Sequence, residues 1–144
     1  MKPSDLKADC ACFHVRKTGR LLSQLYDHCL RPAGIRSTQY SMLKCVGALS
    51  EPFISDLGRV LGMDQTTVTR NIVTLVKAGF IETRPHPDDP RKKLIKLSAA
   101  GKDTLTKAHP LWEKAQDHIL SHMEGEDYDQ LLRTLGKLAY AARI

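Results

Sequence analysis

No apolar run in this chain of 144 residues approaches the roughly 20 needed to cross a bilayer, so a membrane partner is not expected. The opening stretch, MKPSDLKADC, lacks the apolar core of a signal peptide, and the expected compartment is the cytoplasm. A disulfide framework is not expected: the four cysteines, in a reducing compartment, are expected as free thiols. There is no internal repeat and no low-complexity tract, so neither a repeat array nor a long flexible linker is expected. The common catalytic motifs are missing as well: no P-loop, no G-x-S-x-G, no H-E-x-x-H and no G-x-G-x-x-G. No catalytic residue and no cofactor is therefore assigned, and an enzyme is not expected.

What is present is positive charge. The chain has 22 Lys+Arg against 16 Asp+Glu, a net charge of +6 and a pI near 9.3, a balance that favours a polyanionic partner. The length suits one domain with an adequate core, or a small domain with an oligomerisation element.

The most informative stretch runs from Phe53 to Phe80. Phe53, Leu57 and Leu61 recur every four residues, one apolar stripe of a short helix. Gly62 suits the end of that helix, and Asp64 stands where an N-cap belongs. From there Val68, Ile72, Leu75 and Val76 mark the buried face of a second helix that ends at Ala78-Gly79. Its other face carries Thr66, Arg70, Thr74 and Lys77. Gln65, Thr66 and Thr67 in the first turn, with Thr69, Arg70 and Asn71 beyond, are side chains that fit between base edges and phosphates. A plain helical hairpin with a solvated polar face fits this spacing equally well.

The segment after Phe80 tips that balance. Phe80 to Arg84 and Leu94 to Leu97 alternate apolar and polar residues, and a Pro/Asp/His-rich segment separates them. They predict a two-stranded hairpin whose tip and second strand carry Arg84, Arg91, Lys92, Lys93 and Lys96. A basic hairpin directly after a helix-turn-helix is a wing. Upstream, residues 1–9 read as a polar lead-in, and a long helix is predicted from Cys10 to about Leu30, stopped by Pro32. Ser37 or Thr38 is expected to cap the next helix, with Tyr40, Leu43, Cys45/Val46 and Leu49 on its apolar side. Downstream, Ser98 caps a helix from about Ala99 to Met123. Its Leu105, Ala108, Trp112, Ala115, Ile119 and His122 have the spacing of a helix packed along another, with Pro110 expected as a kink. Gly125 reads as a break, and Asp127 with Gln130 as a capping box opening the last helix. The terminal helices have no evident partner within so small a lobe, so they are expected to form a bundle between two subunits. The expected fold class is mainly α with a small β-hairpin wing. A winged helix-turn-helix occupies 37–98, and a helical dimerisation region is built from 1–36 and 99–144.

The chain as a whole resembles the MarR family of winged-helix transcriptional regulators. The most specific parts are TVTRNIVTLVKAGFI, similar to that family's recognition helix and its exit, and HPDDPRKKLIKLSAAG. The latter resembles its D-P-x-D-x-R wing and L-T/S-x-x-G helix start, with His86 replacing the first Asp. The resemblance implies that Arg91 enters the minor groove and that Asp89 holds the loop of that arginine in shape. It also implies a homodimer on double-stranded DNA, at a pseudo-palindrome with half-sites about 34 Å apart. Such regulators are mostly repressors, released when a signal changes the spacing of the two winged helices.

Three signals stay open. Cys12 in the first helix, with Tyr26 fourteen residues on, resembles the hydroperoxide-sensing branch of the family. That reading needs contact across a dimer, because fourteen helical residues span about 21 Å. Arg16, at i+4, would favour the thiolate. Against it, Ser37 and Arg16 stand where that branch has tyrosines, and small buried cysteines are ordinary core residues. A metal is the second signal. Cys10 and Cys12 point about 160° apart on a helix, a poor chelate, whereas His118 and His122 share a face but lack a third ligand fixed by sequence. The third is a small aromatic or amphipathic ligand, whose pocket the family places near Phe13, Arg16, Tyr40, Leu43 and the first half of the fifth helix. A winged helix used for protein–protein contact is the alternative class, disfavoured by the basic, hydroxyl-rich face.

Overall fold

The computed structural model describes residues 10–144; the lead-in expected over 1–9 lies outside them. Among the described residues the order is α1 (Ala11–Leu30), α2 (Ser37–Leu49), α3 (Ile54–Leu61), α4 (Gln65–Lys77), β1 (Ile81–Pro85), β2 (Lys93–Leu97), α5 (Ala99–Ser121) and α6 (Gly125–Ala141). The fold is mainly α with one antiparallel hairpin, and no described helix is long and apolar enough to cross a membrane.

Local chemistry sets most boundaries. α1 tightens into a 3-10 turn at Arg31–Ala33, where Pro32 enters. α3 starts with the Phe53 amide donating to Asp56 Oδ2 at 3.0 Å and stops at Gly62, which adopts φ +65°. Asp64 caps α4 as expected: the Thr67 amide donates to Oδ1 at 2.7 Å and the Thr67 hydroxyl to Oδ2 at 3.1 Å.

Four boundary or packing expectations are corrected. Neither Ser37 nor Thr38 caps α2. Instead the Ser37 amide donates to Asp27 Oδ1 of α1 at 2.6 Å, and the Arg36 amide donates to Gln39 Oε1 at 2.9 Å. The Asp127–Gln130 box does not open α6, because Gly125 is the first helical residue and not a break, with Glu124 at the N-cap. Val76 does not join the buried face of α4. It is eight residues beyond Val68, about 80° round the helix, and is 40% exposed while Val68, Ile72 and Leu75 are buried. α1 does have a partner within the chain, since it packs along α5.

The core gathers Leu30, Met42, Leu43, Val46, Leu57, Val68, Leu75 and Ile95, with Ala108 of α5 closing it. β1 and β2 pair from Ile81↔Leu97 to Pro85↔Lys93, leaving 86–92 as the tip. The Ile95 amide donates to the Pro52 carbonyl at 3.2 Å, which docks the hairpin beside the start of α3.

A compact corner joins α4, the hairpin base and α5. The Ser98 amide donates to Phe80 O at 3.0 Å, the Ser98 hydroxyl donates to Gly79 O at 2.5 Å, and Ser98 Oγ accepts from the Gly101 amide at 2.9 Å. Gly101 is pressed so close that a Cβ there would lie 2.0 Å from Phe80 O. This is the physical content of the L-S-x-x-G pattern. Pro110 lies inside α5, which continues through it to Ser121.

Candidate nucleic-acid interface

α4 and the hairpin flank one cleft of about 480 Å³, lined by Phe53, Ile54, Ser55, Gln65, Thr69, Arg91, Lys92 and Lys93. Three of these are cations and none is an acid. Gln65, Thr66, Thr69 and Arg70 frame a shallower depression over the first turns of α4. The structure thus brings Arg91, Lys92 and Lys93 of the wing and the first turns of α4 to one surface.

The wing tip is fixed locally. Asp89 accepts from the Arg91 amide at 3.2 Å and from Arg91 Nε at 3.1 Å, both through Oδ1. The hydrogen bonds from Arg91 hold the Asp89 carboxyl below its ordinary range. The Arg91 side chain is 90% exposed, so although its guanidinium is bonded to Asp89 on one edge, the rest of it faces outward. Lys92 Nζ lies 5.6 Å from the centre of the Phe53 ring, a cation–π contact that leans the tip toward α3.

Three of the sequence-predicted contact residues are turned inward or sideways. The Thr67 amide and hydroxyl are both bonded to Asp64. Asn71 is half-buried and donates to Thr67 O at 3.0 Å. Arg84 forms a two-pronged pair with Glu51, at 3.2 Å from Nε and 2.8 Å from a terminal nitrogen. That pair ties β1 to the α2–α3 link, where Ser50 and Glu51 adopt φ +51° and +60°. Glu51 is held below its ordinary pKa first by the Arg84 hydrogen bond. One basic residue escapes sequence reasoning: Arg36 lines a cleft with Asn71 and Thr74 on the edge of α4 away from the wing. Its signal is there, a basic residue just before a helix start, but only the fold puts it beside α4.

The sensor candidates separate. Cys10 and Cys12 are exposed at the start of α1. Tyr26 is far along α1, donating to Gln116 Oε1 at 2.6 Å while Gln116 donates to the Tyr128 hydroxyl at 2.7 Å. Of Phe13, Arg16, Tyr40 and Leu43, only Tyr40 lines a cleft between α1, α2 and α5. Leu43 is core, and Phe13 and Arg16 are exposed. That cleft, about 390 Å³, is walled by Leu22, Tyr26, Tyr40, Met63 and Trp112 among others. Trp112 stacks on Tyr40 at 5.9 Å and on His109 at 5.8 Å, and the Tyr40 hydroxyl is 3.0 Å from His109 Nδ1. Burial raises the pKa of both Tyr26 and Tyr40, so both phenols stay protonated at neutral pH. Burial likewise raises the pKa of Cys45, away from a reactive thiolate. His118 and His122 do share a face, ring centres 4.6 Å apart, with His122 Nδ1 2.8 Å from His118 O. Among the described residues no three metal-ligating side chains cluster.

Known proteins place this architecture. The model of the MarR family matches residues 35–93. The crystal structure of the M. tuberculosis transcriptional regulator MosR in complex with DNA is 35% identical, with a TM-score of 0.86 over 93% of this chain and 96% of that one. The HTH-type transcriptional regulator BilQ of Clostridium symbiosum (strain WAL-14163) is 34% identical over 83 residues, 58% of this chain and 58% of that protein. In fold alone, a cysteine-to-serine mutant of E. coli MarR complexed with operator DNA superposes with a TM-score of 0.80 at 23% identity, over 86% of this chain and 89% of that one. Helix-turn-helix, wing and flanking helices all correspond, and the chain belongs to the MarR family of transcriptional regulators.

Proposed function

We propose that this chain is a cytoplasmic repressor that binds double-stranded DNA as a homodimer and is released by a small ligand. The observation that carries DNA binding is the cleft between α4 and the wing, lined by Arg91, Lys92 and Lys93 with no acid among its walls. α4 presents Gln65, Thr66, Thr69 and Arg70 to the major groove, and Arg91 reaches the adjacent minor groove. Thr67, Asn71, Arg84 and Asp89 shape the surface. That both MosR and E. coli MarR are crystallised with DNA supports the reading.

Dimerisation rests on the apolar side chains left exposed on α1 and α6. Phe13, Leu21, Leu131, Leu132 and Leu135 are each 38–57% exposed, and one partner covers them at once: a second copy. In this reading 37–98 form the DNA-binding region, and 1–36 with 99–144 form the dimerisation region. For the signal, the aromatic cleft at Tyr26, Tyr40 and Trp112 favours an aromatic ligand over an oxidant at Cys12 or a metal at His118 and His122. The cleft offers stacking and two protonated phenols.

The test is fluorescence anisotropy with a DNA fragment from the protein's own promoter region. Arg70→Ala and Arg91→Ala should each weaken binding roughly tenfold or more. Affinity should fall by orders of magnitude between about 50 and 200 mM salt if about 6–10 phosphates are neutralised. A flat salt curve, or unchanged affinity in both variants, would overturn the assignment.

A further inference from the structure

The outward stripe of α4 is Thr66, Arg70, Val73 and Lys77, spaced i, i+4, i+7 and i+11 along one line of the helix. Three of the four are polar or cationic. Val73 is the exception, and it is 46% exposed. Exposure alone does not single it out, since Val60 and Val76 are exposed too; its place on the outward stripe of α4 does. Ile72, one residue before it, packs in the core, whereas Val73 does not. A β-branched residue lowers helix propensity, so a solvated position gains nothing from valine that alanine or lysine would not supply better.

The wing makes the position meaningful. Thr69 lines the cleft shared with Arg91, and Thr69 and Arg70 line the depression over the first turns of α4. Val73 lies one turn along from both. An apolar side chain held in a major groove has one aliphatic partner there in unmodified DNA, the 5-methyl group of thymine. Resting on the proposed DNA binding, we infer that Val73 is a specificity residue that packs its methyl groups against a pyrimidine 5-methyl, that of one thymine in each half-site. The same contact is available from 5-methylcytosine, which carries the identical group at the identical edge. Arg70 and Thr66 then supply the polar contacts on either side, and the valine disfavours bases that lack the methyl.

The test uses the full chain and operators enriched from random-sequence DNA. Each thymine is replaced in turn by deoxyuridine, which removes the methyl and leaves the base-pairing edge unchanged. Wild type should lose about fourfold in affinity at one position per half-site, the worth of one buried methyl. Val73→Ala should bind the thymine operator more weakly by a similar factor and show no further loss with deoxyuridine. Putting 5-methylcytosine at that position in an otherwise weak site separates the methyl from the rest of thymine, and wild type alone should gain. Circular dichroism should show Val73→Ala folded, since the side chain is no part of the core. If no thymine is methyl-sensitive, or if Val73→Ala keeps the sensitivity, the inference is overturned while DNA binding stands. If the enrichment yields no bound DNA, the reading it rests on has failed first.

Discussion

Gly101→Ala should be among the most damaging single-methyl additions in this protein. The Cβ would lie 2.0 Å from the Phe80 carbonyl oxygen and 2.9 Å from its carbon, where ordinary contact begins near 3.4 Å. The deficit of about 1.4 Å cannot be relieved by a rotamer, because the atoms met are backbone. That backbone is in turn held by Ser98, through its amide to Phe80 and its hydroxyl to Gly79. Relief means sliding α5 off the α4–β1 corner. Overpacking of this kind costs about 1–3 kcal/mol, against a gain of about 1 kcal/mol from replacing glycine by alanine in a helix. With backbone on both sides the upper end applies, leaving a net loss of about 2 kcal/mol. Gly47→Ala is the control, since its Cβ would meet only side-chain ends, Leu97 at 3.1 Å and Leu105 at 3.8 Å. Urea unfolding of the three proteins should rank wild type and Gly47→Ala well above Gly101→Ala. Equal midpoints for Gly101→Ala and wild type would refute the reasoning about the corner.

Three other outcomes are expected. Asp64, Asp89 and Glu51 are each held below the ordinary carboxylate range, by Thr67, Arg91 and Arg84 respectively. Their contribution is complete above the unfolded pKa and is lost as pH falls through the lower folded values. The unfolding midpoint should therefore hold down to about pH 5 and drop below about pH 4, and Asp64→Asn should flatten the drop; a decline already under way at pH 6 would contradict this. If Arg84 positions the wing through Glu51, Glu51→Gln and Arg84→Gln should weaken DNA binding alike with little change in stability, whereas loss in Arg84→Gln alone would mean Arg84 touches DNA itself. Leu135→Glu should shift sedimentation toward monomer and reduce DNA affinity together, and an unchanged dimer would remove α6 from the interface.

Features decided by residues close in sequence are legible. The Asp64 cap, the Gly62 stop, the Ser98 cap and the Asp89–Arg91 loop each close within about three residues, so a pattern of residue types carries them. Features decided across the fold are not. Asp27 holding the Ser37 amide, Glu51 pairing with Arg84, and Tyr26 reaching Gln116 join residues 10, 33 and 90 apart. No local spacing announces them. The stacking of Tyr40 on Trp112 is hidden for the same reason: each looks like one member of its own helix's surface or stripe. Position around a helix is legible only to about a quarter-turn, which is why spacing alone assigns Val76 to the buried face.

The surface of α4 is built largely from side chains that cannot move much. Thr66, Thr69 and Val73 are β-branched and turn about a single side-chain bond, restricted further by the helix. Arg91, one of the long side chains of the site, is tethered through Asp89 before any partner arrives. Ordering a rotamer-rich side chain at an interface costs about 0.5–1.5 kcal/mol, and at these four positions little of that entropy is left to lose. A face so stiff gains affinity without gaining contacts, but it cannot reshape itself to a neighbouring sequence. Such a regulator would recognise few sites and lose binding steeply at each mismatch, with tolerance confined to the positions its long arginines and lysines reach.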